Sequence, residues 1–202
     1  ITAFAAGCPV IVKPAATTPL SCFAVIDILK EAGMPGGWCQ SIMCDNETAE
    51  KLVTDKRVHY FSFIGSSRIG WYLKSKLAPG TRCALEHGGA APVIVEKDAD
   101  IDSMLPSLVK GGFYHAGQVC VSVQRVFVHE FLCELVAHRL AEMAKKLVVG
   151  DPLDEKTEVG PLILPREVDR VEAWVKEAVD GGAELLCGGK RISDSCYEPT
   201  VL

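Results

Sequence analysis

The chain has 202 residues, of which 49% are hydrophobic, and a formal net charge of −5. This composition is sufficient for a buried core and excludes a disordered segment, while the acidic balance without a basic stripe argues against nucleic-acid binding. No apolar run reaches the roughly 18 residues that a membrane-spanning helix needs. The nine cysteines form no C-x-x-C pair, so we expect reduced thiols, mostly in the core, a cytoplasmic protein and no metal site.

Predicted strands and helices alternate through the first ninety residues. The strands are CPVIVKP (8–14), WCQSIMC (38–44), HYFSFIG (59–65) and TRCALEHGG (81–89). The helices are predicted over 17–33 with Thr18 as N-cap, directly after residue 44 with Asn46 as N-cap, and over 66–77. This alternation is typical of an open parallel α/β sheet.

A second α/β unit is predicted in the rest of the chain. Its strands are 91–98, 121–130 and 184–189, and its helices are 100–117, 131–150 and 165–183. We place the boundary between the units near Gly88–Pro92, which gives domains of residues 1–89 and 90–202.

Three segments of the first unit are candidates for ligand binding or catalysis. Lys13 follows a buried strand, at the sheet edge where parallel sheets bind ligands, and Gly65 and Ser66 open a helix whose N–H groups could bind phosphate. Glu86 ends another strand and could act as a general base, with His87 beside it. Taken alone, each segment is more typical of a surface lysine, an empty turn or a capping carboxylate than of a functional site.

The cysteine of GQVC, Cys120, lies at a predicted junction between a helix and a strand. Nucleophilic cysteines need an exposed thiolate, which such junctions can present. Cys133, in contrast, lies within an amphipathic helical pattern and is predicted to be a core residue. Because free cysteines are more often structural than catalytic, Cys120 alone does not establish an enzyme.

Four motifs in order carry a resemblance to a known family. VKPAATTP, FIGSSRIG, EHGGAAP and GQVCVSVQR closely resemble the K-P-x-x-x-T-P, F-x-G-S-x-x-x-G, E-x-G-G and G-Q-x-C-x-x-x-x-R segments of the aldehyde dehydrogenase superfamily. The 34-residue separation of Glu86 and Cys120 is also similar to that of the family, and the resemblance extends to YEPTVL at residues 197–202.

The resemblance implies a Rossmann-like cofactor domain followed by a nucleophile-bearing catalytic domain. By this similarity Cys120 is the nucleophile that adds to an aldehyde to give a thiohemiacetal, which the nicotinamide cofactor oxidises to a thioester, and Glu86 activates the hydrolytic water, as in non-acylating members. The cofactor, NAD or NADP, would contact a set of residues from the first unit: Lys13, Pro14, Ala16, Gly65, Ser66, Ile69, Tyr72 and His87.

One departure from the family bears on the choice of cofactor. Many members have a glutamate at the position of Ala16, where it binds the ribose 2′-hydroxyl of NAD. A carboxylate would repel a 2′-phosphate whereas alanine cannot, so we expect NADP to be tolerated or preferred.

The family's upstream P-W-N and downstream E-x-F-G-P segments do not occur in these 202 residues. We therefore expect a central fragment of a longer homodimeric or homotetrameric parent, with little activity of its own, since losing one oxyanion donor typically costs about 10²–10³ in rate. Two alternatives stay open. One is a cofactor-free cysteine esterase with His115 as base, and the other is a non-catalytic protein of the same fold.

Overall fold

A computed structural model describes residues 2–202 of the chain. The chain divides into two compact units, one ending at His87 and the other running from Gly88 to Leu202. The predicted boundary, after residue 89, lies two residues from this division. Within residues 2–202, no helix combines the length and the apolar character needed to cross a membrane.

Both units consist of helices and short parallel strands. The strands are β1 (Val10–Val12), β2 (Cys39–Ser41), β3 (Tyr60–Gly65), β4 (Arg82–His87), β5 (Ala91–Val95) and β6 (Val123–Val128). The α-helices are α1 (Thr2–Ala5), α2 (Leu20–Glu31), α3 (Asn46–Val53), α4 (Ser67–Lys74), α5 (Ile101–Phe113), α6 (Cys133–Ala144) and α7 (Pro165–Asp180). Short 3₁₀ segments cover Tyr114–Gly117 and Glu130–Leu132.

The first unit contains two parallel strand pairs, β1 with β2 and β3 with β4. Each pair is connected through helical segments, as parallel pairing requires, because both strands must be entered from the same end. The prediction of a parallel α/β fold is therefore confirmed, although the first unit forms two separate pairs instead of one continuous sheet.

The second unit is built around the parallel pair β5–β6 and the helices α5 and α6. Leu105, Leu108 and Val136 form a buried cluster against side chains of the two strands. Removing each of these side chains from water contributes about 1.5–3 kcal/mol. The register of β5 and β6 shifts between Ala91 and Pro92, because proline cannot donate a hydrogen bond to the ladder.

Two predicted helix caps are wrong. Asp45, not Asn46, caps α3, since its carboxylate accepts a hydrogen bond of 2.8 Å from the Thr48 N–H. Thr18 does not cap α2, which begins at Leu20 after Pro19, and Pro19 offers no capping side chain. Proline already has the φ that a helix needs, so this helix begins without a side-chain cap.

The structure also corrects two elements of the second unit. The helix predicted over 131–150 ends at Ala144, because Val149 leaves it to form a bridge with Val159. The strand predicted over 184–189 is reduced to one bridge between Cys187 and Val201. Gly188 and Gly189 have positive φ, which takes the backbone out of the extended conformation.

Candidate active site

The pair β3–β4 brings two predicted site segments to one sheet edge. In the register of the pair, Gly65 lies beside His87 and Ile64 beside Glu86. The turn that leads into α4 and the carboxylate of Glu86 therefore share the carboxyl edge of this pair, where parallel sheets bind their ligands. Glu86 is exposed at this edge.

The N-terminus of α4 has the properties of an anion site. Ser66 is its N-cap, and its Oγ accepts a hydrogen bond of 3.4 Å from the Ile69 N–H. Ser66 and Ser67 are exposed, and the first turn contains Arg68 but no acidic side chain. Because the first N–H groups of a helix lack partners within the helix, this end could bind the pyrophosphate of a dinucleotide.

His87 lies behind this helix. Its ring contacts Trp71 edge to face at a centroid distance of 5.5 Å. Gly70 is closely packed against it, since a methyl group there would come within 2.9 Å of His87 Cδ2. The Nε2 atom is buried and has no hydrogen-bond partner among the described residues. The cofactor contact of His87 stays a prediction, and its placement favours support of α4.

The other predicted cofactor residues differ in what they could offer a ligand. Tyr72 donates a hydrogen bond of 2.9 Å to the Glu50 carboxylate, and Lys76 lies over its ring, so its hydroxyl is already engaged. Ile69 on the same helix is partly exposed. Beyond β1, Lys13 is half-buried, Pro14 is buried and Ala16 is exposed.

Cys120 lies on a tight turn in the second unit. The Ser122 N–H donates a 3.0 Å hydrogen bond to the Val119 carbonyl, which closes the turn around Cys120. The residue is exposed, whereas Ser122 is fully buried, with an Oγ that has no partner within residues 2–202. The turn is thus anchored by a buried residue while Cys120 is exposed to solvent, as a nucleophile requires.

The backbone before Cys120 is strained. His115 and Ala116 have φ values of 50° and 53°, and Gly117 continues the left-handed conformation. This conformation costs roughly 1–2 kcal/mol for each residue that has a Cβ atom. Such strain persists only where the surrounding structure enforces it, and it clusters at functional sites. The helix predicted over 100–117 consequently ends at Phe113.

Two residues of the quoted motifs, Gly89 and Arg125, make contacts in the second unit although the sequence assigned them no role. Gly89 of EHGG touches the backbone of Cys120 so closely that a methyl group would overlap the Cys120 carbonyl oxygen and lie 2.7 Å from its carbon. Arg125 donates a 3.4 Å hydrogen bond to the Ala90 carbonyl. The spacing of the motifs indicated these residues, but only the fold reveals their contacts.

The other cysteines differ from the prediction of mostly buried thiols. Only Cys39 and Cys187 are buried, and Cys133 is exposed at the first position of α6, so its predicted core role is wrong. Burial raises the pKa of the Cys187 thiol, which keeps it protonated and unreactive. Within residues 2–202, no group of three His, Cys, Asp or Glu side chains could hold a metal ion.

The chain is thus an α/β protein with an exposed helix N-terminus in its first unit and an exposed cysteine on a tight turn in its second. A family model described as "Aldehyde dehydrogenase family" matches residues 1–202. The chain belongs to the aldehyde dehydrogenase family.

Individual relatives agree with this assignment. The chain is 42% identical over 201 residues to a 3-sulfolactaldehyde dehydrogenase of Priestia megaterium, a match that covers 99% of this chain and 42% of that protein. The structure of an aldehyde dehydrogenase from Physcomitrella patens in complex with succinate is similar with a TM-score of 0.92, at 39% identity over 98% of this chain and 41% of that one.

A glyceraldehyde-3-phosphate dehydrogenase from Methanocaldococcus jannaschii, complexed with NADP, matches with a TM-score of 0.87. Its identity is 38%, over 94% of this chain and 42% of that one. The chain thus spans less than half the length of these relatives.

Proposed function

We propose that this chain carries the nucleophile and part of the cofactor site of an enzyme that oxidises an aldehyde to a carboxylic acid with NAD or NADP. The observation that carries the proposal is the exposed Cys120 on a tight turn that follows a strained segment, within a chain of this family. We further propose a cytoplasmic enzyme that acts as a homodimer or homotetramer.

Cys120 would begin the reaction by forming a covalent bond to the substrate. Its thiolate would add to the aldehyde carbon, and the electron pair of the C=O bond would move to oxygen, which gives a thiohemiacetal anion. When bound, the nicotinamide cofactor supplies a hydride acceptor. With that acceptor present, the oxygen of the anion would re-form the C=O bond as hydride leaves the carbon, and Cys120 would hold the acyl group as a thioester.

Glu86 would complete the reaction by accepting a proton from water. The water oxygen adds to the thioester carbon, the C–S bond breaks, and the Cys120 thiolate leaves as the acid is released. Glu86 is an exposed carboxylate at a strand end and is therefore free to exchange this proton with solvent. Its presence favours hydrolysis over transfer of the acyl group to coenzyme A.

The first unit offers groups that fit the pyrophosphate and the adenosine ribose of the cofactor. The exposed N-terminus of α4, with Ser66 and Arg68, suits the pyrophosphate. Lys13 would hold the adenosine ribose beside Ala16. Since Ala16 is exposed and has no charge to repel a 2′-phosphate, we propose that NADP is accepted.

The catalytic proposal is tested by Cys120→Ala in the full-length parent enzyme. We expect no aldehyde-dependent NAD(P)H formation from this variant, while Cys133→Ala, which removes another exposed thiol of the same unit, keeps the parent rate. Turnover by Cys120→Ala would show that another group is the nucleophile. Release of nitrophenol from an ester at the same rate without cofactor, combined with no aldehyde oxidation, would favour the esterase alternative.

Glu86→Gln separates the two half-reactions. We expect the first turnover of NAD(P)H to remain, while steady-state acid formation falls about 10²–10⁴-fold, the usual contribution of a general base. Unchanged steady-state acid formation would exclude Glu86 as the base.

Cofactor choice is tested by paired titrations of NAD and NADP at saturating aldehyde. We expect Ala16→Glu to raise the KM for NADP at least about tenfold, because the new carboxylate repels the 2′-phosphate, and to change the KM for NAD little. A strong preference of the parent for NAD would contradict the role of Ala16.

A further inference from the structure

Gln118 bonds to three backbone groups near the Cys120 turn. Its Nε2 donates hydrogen bonds to the carbonyl oxygens of His115, at 3.0 Å, and Pro161, at 3.3 Å. Its Oε1 accepts a hydrogen bond of 2.9 Å from the Ile163 N–H. One amide side chain therefore connects the segment before the nucleophile to a loop more than forty residues further along the chain.

One of these side-chain contacts, together with a backbone hydrogen bond of Gln118, acts on the strained backbone. The carbonyl of His115, the first left-handed residue, accepts hydrogen bonds from both the backbone N–H and the side chain of Gln118. Left-handed conformation at His115 and Ala116 needs such external support, because neither residue adopts it freely. Gln118, which lies two residues before Cys120, thus holds the left-handed residues 115–117.

The loop on the other side of Gln118 is itself anchored. The Leu162 N–H donates a 2.7 Å hydrogen bond to the Ser195 carbonyl, and α7 begins three residues later at Pro165. Gln118 consequently ties the nucleophile turn to a part of the second unit that is fixed at both ends.

We propose that Gln118 is a positioning residue, which holds the backbone of residues 115–117 so that the Cys120 thiol points to its substrate. The inference rests on the proposed role of Cys120 as the nucleophile. Gln118 acts through the backbone and needs no contact with substrate or cofactor. Because misplacement of a reacting atom by about 1 Å can lower a rate about 10²-fold, loss of this tie should slow the chemical step.

The test compares Gln118→Met and Gln118→Glu in the full-length parent enzyme. Methionine keeps the length of the side chain but makes none of the three bonds. Glutamate keeps the shape and can accept from Ile163, but it cannot donate to the two carbonyls. We expect kcat to fall about 10–100-fold in both variants, with the KM values for aldehyde and cofactor within about threefold of the parent.

A rescue variant distinguishes positioning from general stabilisation. Ala116→Gly removes the Cβ that makes the left-handed conformation costly, so adding it to Gln118→Met should recover at least about threefold in kcat. Thr200→Val is the matched control. It removes two hydrogen bonds to backbone groups in the same unit, with Gly189 and Glu198, and should leave kcat unchanged despite a lower Tm.

The outcomes separate the two proposals. If both Gln118 variants keep kcat within twofold while Cys120→Ala is inactive, the positioning role is wrong and the nucleophile stands. The positioning role is also wrong if Ala116→Gly rescues only Tm or if Thr200→Val lowers kcat equally. If Cys120→Ala stays active, the proposed role of Cys120 as the nucleophile is wrong, and the positioning role of Gln118 falls with it. Should Gln118→Met not fold, Gln118→Glu and its Ala116→Gly combination decide the matter.

Discussion

Substitution of Gly89 by alanine probes its contact with the backbone of Cys120, the candidate nucleophile. A Cβ atom at residue 89 would overlap the carbonyl oxygen of Cys120 and lie 2.7 Å from its carbonyl carbon and 3.0 Å from its Cα. All three atoms belong to backbone, which cannot rotate away as a flexible side chain would. Either the start of β5 or the Cys120 turn must therefore shift.

The size of the effect follows from this geometry. Overpacking of this kind costs typically 1–3 kcal/mol, and a contact between two backbones belongs in the upper half of that range, at about 2–3 kcal/mol. For a chain of this length each kcal/mol lowers Tm by about 2–4 °C, so we expect Gly89→Ala to lower Tm by about 4–12 °C. Gly88→Ala is the control, because nothing lies within 4 Å of the added methyl group.

Two measurements check this prediction. Thermal unfolding followed by circular dichroism should show the loss of Tm for Gly89→Ala and a change of no more than about 2 °C for Gly88→Ala. Alkylation by iodoacetamide, followed residue by residue with mass spectrometry, should show an altered rate at Cys120 and an unchanged rate at Cys133. If the two alanine variants match each other in both measurements, Gly89 does not contact Cys120 as described.

Three further predictions concern caps, acid sensitivity and thiol reactivity. Asp45→Ala should lower Tm by a few degrees while Asn46→Ala leaves it nearly unchanged, since only Asp45 bonds to the start of α3. Hydrogen bonds from Lys76 and Tyr72 hold the pKa of Glu50 below its ordinary value of 4.5, so its contribution to stability is present above that pH and is lost as the pH falls through the folded-state pKa. The Tm difference between the parent and Glu50→Gln should accordingly be largest near neutral pH and shrink in acid, and a constant difference would argue against this linkage. Cys187, whose burial raises its pKa, should be alkylated at least about tenfold more slowly than Cys120 in the native protein and at a similar rate in denaturant.

Local patterns predicted the parallel α/β architecture and the turn from β3 into α4. The run YFSFIG predicted a strand that leads directly into a helix, and in the structure β3 ends at Gly65 and α4 begins at Ser67. Features that depend on distant partners were missed. Val149 leaves the predicted helix because it bridges to Val159, and no local signal records that pairing. The predicted N-cap of α3 was wrong because Asp45 and Asn46 are chemically similar candidates one residue apart.

The sequence predicted the candidate nucleophile, but it could not predict the contacts that hold the nucleophile in place. Cys120 and Glu86 belong to motifs whose residue types carry the chemistry, whereas the turn beneath Cys120 is held by backbone contacts from Gly89 and by the amide of Gln118. Neither His115 nor Ala116 favours the left-handed conformation strongly enough for the sequence to predict it there. The strain is therefore a property of the folded unit.

The supports of the turn come from two sides of the second unit. Gly89 precedes β5, and the loop bonded by Gln118 precedes α7, so the position of Cys120 depends on segments far from it in sequence. Because Gly89 packs against the backbone of Cys120 and Gln118 bonds to the carbonyl of His115, residues 115–120 are restrained at both of their ends. A catalytic thiol that must meet its substrate within a fraction of an ångström benefits from such rigidity more than from any single bond. We therefore expect the amide of Gln118 and the absence of a side chain at Gly89 to act together in positioning the Cys120 thiol.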